Sequence, residues 1–253
     1  MQQPNDVHGV RRLELRVEPY DPVTVDQFEL IILVDGENLL AAQRFVGFDP
    51  WDILGPDVPL LPPQPIPRVA VARCGCGIAG CGALAPLILK RGDEVVWTDF
   101  RSFTGDYDGP IAEDDPDLTR ATVCDLPEVV FDGTQYRAEV ARASADYSWE
   151  TPQRRTTRLF VEYLDRETDR LSELGWRLRP RRGQWSRPGW LEDRLHVVLQ
   201  DVTDLAGPLW PKEICVLLRA EAETPAESAA LMVDFLFRTP PEQWPQYVEG
   251  GDA

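Results

Sequence analysis

Residues 68–100, RVAVARCGCGIAGCGALAPLILKRGDEVVWTDF, leave the chain little choice of fold. Val69 and Val71 alternate ahead of a glycine-laced turn, and ALAPLILK follows as a second strand-length apolar run. The turn RGDE then leads into VVWTDF. Short apolar runs separated by turn residues predict an antiparallel meander. Gly75, Gly77, Gly80 and Gly82 allow the backbone angles a tight turn needs, and three of the chain's five cysteines, Cys74, Cys76 and Cys81, sit in it.

The flanking sequence points the same way. Leu13–Val17 alternates as a strand, and FELIILVDGENLL carries Asp35-Gly36, a two-residue hairpin signal. The stretch Gly47–Pro67 holds seven prolines, so it is neither continuous helix nor central strand but a crossing loop or a linker. TVCDLPEVVF reads as one more strand. Asp132 with Gln135 offers a capping pair that opens a helix over 133–146, with Tyr136, Val140 and Ala143 inward.

Beyond residue 150 the texture changes. Leu159, Phe160, Tyr163, Leu164, Leu171 and Leu174 make a broken helical stripe that stops at Gly175. LHVVLQDV and EICVLLRAE read as strands. TPAESAALMVDFLF has Thr224 as N-cap, Pro225 in the first turn and Glu227 closing the box, with Leu231, Met232, Phe235 and Leu236 expected on the buried face. The fold class is therefore α+β: residues 1–150 form an acidic domain built on the meander and its cysteine-rich hairpin, and residues 151–253 form a second α+β part.

If the meander pairs up to its turn, Cys74, Cys76 and Cys81 converge. That gives three soft ligands where structural zinc needs four, and Cys124 is the candidate fourth, with Cys215, a histidine or a carboxylate as further options. Set against zinc are a dithiol redox role, which lacks a supporting βα scaffold, and plain packing of small buried thiols at a glycine-rich tip. No cofactor is expected; zinc is the one ion the spacing admits.

These residues carry a resemblance. RCGCGIAGCGALAPLIL, EVVWTDF and VVFDGTQYRAEV resemble a family of uncharacterised bacterial proteins with a Cys-x-Cys-x-x-x-Gly-Cys turn, a Val-Trp-x-x-Phe strand and an aromatic-Asp-x-x-x-Tyr helix start. The matching positions are Cys74, Cys76, Gly80, Cys81, Val96, Trp97, Phe100, Phe131, Asp132 and Tyr136. It spans about residues 30–145 and brings no activity with it. The chain departs from it after Phe100, where the family's basic and aromatic stretch is replaced by RSFTGDYDGPIAEDDPDL.

Catalytic machinery is sparse. Two histidines, His8 in a polar tail and His196 in an apolar strand, exclude a paired-histidine metal motif and leave no histidine-based triad to build. No phosphate loop occurs, and CGCGIAGCG enters a strand, not a helix, which rules out a dinucleotide fingerprint. The carboxylates Asp106, Asp108, Glu113, Asp114, Asp115 and Asp117 fit no EF-hand spacing. They form either a solvated loop or a surface for a basic partner. A carboxylate-dependent enzyme acting on a small substrate stays as an alternative.

Charge sorts the partners. The formal net charge is −17. Residues 1–150 hold 26 acidic against 12 basic residues, a net of −14, and residues 151–253 hold 17 against 14, a net of −3. Such a surface repels nucleic acid and anionic lipid and steers basic partners toward itself. Arg177, Arg179, Arg181, Arg182 and Arg187, interleaved with Trp176, Trp185 and Trp190, have the composition of a single-strand nucleic-acid platform. The overall charge favours instead an intramolecular role, docking onto the acidic first part of the same chain, or a protein-facing role for Arg179, Arg181, Arg182 and Trp185. No apolar run spans a bilayer, the first residues lack a secretory pattern, and with an odd cysteine count the expected setting is the cytoplasm. The function expected is protein binding without catalysis, in the manner of an inhibitor or immunity protein.

Overall fold

The computed structural model describes residues 9–20, 27–41, 45–55, 59–62, 64, 68–75, 82–104, 109–111, 121–179, 188–202 and 212–247. The fold is α+β with antiparallel sheets, and the chain divides into two compact units, Met1–Trp149 and Glu150–Ala253.

In the first unit, β1 (Leu13–Pro19), β2 (Phe28–Val34) and β3 (Glu37–Asn38) pair antiparallel. The β2–β3 turn is Asp35-Gly36 with φ of 54° and 84°, the left-handed pair that suits a two-residue hairpin. After β4 (Phe45–Gly47) the proline-rich stretch opens as a one-turn helix, α1 (Pro50–Leu54), with the Asp49 side chain accepting from the Trp51 N–H. Further on, Leu60 is fully buried and its carbonyl accepts from the Tyr136 hydroxyl at 2.9 Å. Over its described residues this stretch is an ordered crossing, not a linker.

The meander follows. β5 (Arg68–Ala70) and β6 (Ala72–Cys74) both pair antiparallel with β7 (Ala83–Arg91), which pairs with β8 (Glu94–Phe103). β9 (Gly109–Ile111) takes the other edge of β5, and β4 that of β6. Where one strand was expected in TVCDLPEVVF there are two, β10 (Thr122–Val123) and β11 (Val129–Asp132), both lying along β8. The break falls opposite a bulge in β8 and includes Pro127, which has no N–H to give a ladder.

α2 (Gly133–Ala145) starts where the sequence predicts: Asp132 Oδ1 accepts from the N–H groups of Thr134 and Gln135 at 3.0 and 2.7 Å. Gln135, however, does not reach back to the cap. Its amide oxygen accepts from the Leu13 N–H at 3.0 Å and its amide nitrogen donates to the Leu13 carbonyl at 2.7 Å. One turn on, Glu139 accepts from the Leu15 N–H and Arg142 donates to the Leu15 carbonyl, both at 2.7 Å. Four helical residues rise about 6 Å and two strand residues about 6.6 Å, so side chains one turn apart meet alternate strand residues. The open edge of β1 is thereby satisfied by side chains in place of another strand.

The second unit holds α3 (Pro152–Arg166), α4 (Thr168–Glu173), β12 (Trp176–Leu178), β13 (Gly189–Leu191), β14 (Arg194–Asp201), β15 (Glu213–Leu218) and α5 (Pro225–Arg238). β12 and β13 pair with the same edge of β14, at Leu199–Asp201 and Arg194–His196, while β15 takes the other edge. The Thr224–Glu227 capping box forms as the sequence predicts. The buried stripe of α5 does not match the expectation: Ala229, Met232, Val233 and Leu236 are inside, and Leu231 and Phe235 are 50% and 38% exposed. The core-facing stripe follows the i, i+3, i+4, i+7 rows, and Leu231 and Phe235 lie outside it.

The core from Leu13 to Ala143 and that from Phe160 to Trp244 share no residue. Each unit has what a domain needs to fold alone. Residues 1–149 and 150–253 expressed separately should each unfold cooperatively in denaturant; a fragment that melts without a transition contradicts this.

Candidate functional site

The hairpin that holds the thiols is closed at its base. The Cys74 N–H donates to the Gly82 carbonyl at 2.8 Å, and Cys74 stands opposite Phe45. Cys76 and Cys81 lie outside the described residues. Cys124 follows β10, its N–H donating to the Phe100 carbonyl at 2.8 Å, and in strand order β7 and β8 stand between it and Cys74. Burial pushes the Cys124 thiol pKa up. Among the described residues no group of three or more His, Cys, Asp or Glu side chains is placed to hold a metal ion.

A charge cluster around the buried Arg68 in the first unit is built from residues the sequence did not single out. Opposite Pro86, the β7–β8 register slips between Ala85 and Leu87, and Asp99 in the bulge has φ 45°, a left-handed conformation that side chains adopt at a cost. Arg68, fully buried, donates to the carbonyls of Ala85 and Asp99 at 3.1 and 2.8 Å and to Asp99 Oδ2 at 2.6 Å. Arg101 Nε reaches the same carboxylate at 3.0 Å. Partial burial works to raise the Asp99 pKa, but the hydrogen bonds from Arg101 and Arg68 outweigh it and hold the carboxyl below its usual range. A carboxylate so held is a poor proton acceptor near neutrality; it is a charge anchor for a buried guanidinium. The signal in the sequence was Pro86, a residue that interrupts a central strand.

Of the described positions on which a family resemblance was expected, Val96, Trp97, Phe100, Phe131 and Tyr136 are core. Trp97, Phe131 and Tyr136 pack edge to face or tilted at 5.3 to 6.4 Å, and Trp97 Nε1 donates to the Tyr136 hydroxyl at 3.1 Å. Burial raises the Tyr136 pKa out of any working range. Asp132 is the helix cap, and Phe100 is core.

The acidic candidates Asp106, Asp108, Asp114, Asp115 and Asp117 lie outside the described residues, on either side of β9 in sequence. So do Arg181, Arg182 and Trp185. Arg179, which is described, donates its N–H to the Val198 carbonyl and sets its guanidinium 3.5 Å from Glu213. His196 meets Tyr247 edge-on at 5.9 Å, and burial lowers its pKa, which favours the neutral ring at pH 7. No helix among the described residues is long and apolar enough to cross a membrane. Compared with known proteins, the chain matches no protein-family model, no curated protein and no solved structure.

Proposed function

We propose that the chain is a non-catalytic binding protein, of inhibitor or immunity type, whose acidic first unit takes a basic surface of a protein partner. One observation carries the reading: residues 1–150 keep a net charge of −14 after all 12 basic residues of that stretch are counted against its 26 acidic ones, and Arg11, Arg16, Arg68, Arg91, Arg101 and Arg142 are each paired with a carboxylate of their own unit. The unspent acidic charge steers a cation-rich partner. RSFTGDYDGPIAEDDPDL, the point of departure from the family it resembles, supplies the segment for contact, with Asp106, Asp108, Asp114, Asp115 and Asp117. Exposed charges interact over about 10 Å at 0.1 M salt and about 4 Å at 0.5 M. A basic protein recovered from lysate with the tagged chain at low salt should be lost at about 0.5 M salt, and lost at low salt from a D114N/D115N/D117N variant. Retention unchanged in both arms overturns the reading.

A second reading, zinc clamped by Cys74, Cys76 and Cys81, draws support from the Cys74–Gly82 hydrogen bond, which brings the two ends of the thiol-bearing turn together. Protein purified without chelator should then carry about one equivalent of zinc, and a Cys76→Ser variant far less. Metal below about a tenth of an equivalent ends this reading.

A further inference from the structure

The sheet of the second unit buries Leu195, Val197 and Leu199 on its helix-facing side. Strand alternation puts Arg177, Arg179, His196, Val198, Gln200 and Glu213 on the other. A polar row crosses three strands there. Arg177 stands directly opposite Gln200, and Gln200 opposite Glu213. Arg177 Nε and Nη2 donate to Gln200 Oε1 at 3.2 and 2.9 Å, and Gln200 Nε2 donates to Glu213 Oε1 at 2.8 Å. Arg179, two residues along the same face, reaches the other oxygen of Glu213.

This arrangement is built, not incidental. The Gln200 side chain is nearly buried at 8% exposure, and its bond to Glu213 fixes which end of the amide faces Arg177. The guanidinium is therefore held in orientation by a neutral acceptor, which uses its Nε–H and one Nη2–H of five donors and cancels none of its charge. Among the described residues no carboxylate pairs with Arg177. The row holds two guanidiniums and one carboxylate, Glu213, which contacts Gln200 and Arg179 and not Arg177, so these side chains together carry one positive charge in excess, within a chain that is acidic overall.

We infer that Arg177 and Arg179 form a receptor for a single oxyanion group, a carboxylate or a phosphate, with Arg177 supplying the free fork of its guanidinium, Gln200 positioning it and Glu213 competing with the ligand for Arg179. Arginine's planar donors suit two-point contact with either group. The net charge of −17 turns the site toward one anionic group and away from a nucleic-acid strand. The site is independent of the reading given to the acidic unit: it concerns the other half of the chain and the opposite sign of ligand.

The test follows arginine Nε–H resonances of the full chain by NMR while inorganic phosphate, and separately N-acetylglutamate, is added at constant ionic strength. At least one probe should shift the Arg177 resonance saturably, and the arm that saturates at lower concentration identifies the source. Followed at the Arg179 Nε–H, binding should weaken about tenfold in Arg177→Gln, as expected on loss of a charge-assisted two-point contact. It should tighten about threefold in Glu213→Gln, which keeps the hydrogen bond to Gln200 but removes the competing charge. No saturable shift with either probe, equal binding by Arg177→Gln, or weaker binding by Glu213→Gln each overturns the proposal. Unchanged unfolding midpoints of the two variants show that a loss of binding is not a loss of fold.

Discussion

Asp99→Ala should cost the first unit about 4 kcal/mol. Removing one partner of a buried ion pair costs about 3 kcal/mol or more because the other charge is left buried. Arg68 is such a charge, since its side chain is 1% exposed. The carbonyls of Ala85 and Asp99 are among the partners that remain for it, which keeps the loss at the low end of the range. A further cost of about 1 kcal/mol comes from placing alanine at φ 45°, where aspartate and asparagine are better tolerated. Asp99→Asn keeps an acceptor and tolerates the bend, so it should lose about 1–2 kcal/mol, chiefly the charge. Guanidinium unfolding of the three proteins checks the order. Asp99→Ala within 1 kcal/mol of wild type, or equal to Asp99→Asn, contradicts the assignment.

Gly133→Ala should be nearly as damaging, about 3 kcal/mol, the upper part of the usual overpacking range. A Cβ at Gly133 would stand 2.2 Å from the Asp93 carbonyl oxygen, a backbone atom with no rotamer to change. The same oxygen accepts the Gly133 N–H at 2.9 Å, so the first turn of α2 is fixed against the β7–β8 turn. Moving the helix away would also disturb the four hydrogen bonds by which Gln135, Glu139 and Arg142 hold β1. Thermal unfolding of the 1–149 fragment reads this directly, and that of the 150–253 fragment reads the comparison at Gly175. Gly175→Ala, also at a glycine but with nothing within 4 Å of the added Cβ, should lose only what its φ of 87° imposes, about 1 kcal/mol. Equal losses at the two positions would show that the close approach to Asp93 is not the cause.

The elements legible in the sequence were those fixed by local chemistry. Alternation gave the strands of the meander, Asp35-Gly36 its hairpin, and Asp132, Thr224 and Gly175 their helix ends, because a cap or turn depends on neighbours a few residues away. What stayed illegible was set at long range. Gln135 looks like half of a capping box, yet it bonds Leu13, 122 residues distant. Leu231 and Phe235 are as apolar as the residues beside them, and only the packing of α5 decides which stripe turns inward. Arg68 and Asp99 are separated by 31 residues, and neither has a local pattern that announces a buried pair. Of the candidate binding residues, Arg179 took on meaning from its strand register beside Gln200 and Glu213, which composition does not encode.

The acidic unit is the centre of this account, and it can be isolated. Residues 1–149 and 150–253, each tagged, should be offered the basic protein that the whole chain retains at low salt. The account predicts that 1–149 alone retains that partner with the salt sensitivity of the intact chain and that 150–253 does not. Retention by 150–253 alone, or by 1–149 with no dependence on salt, would contradict it.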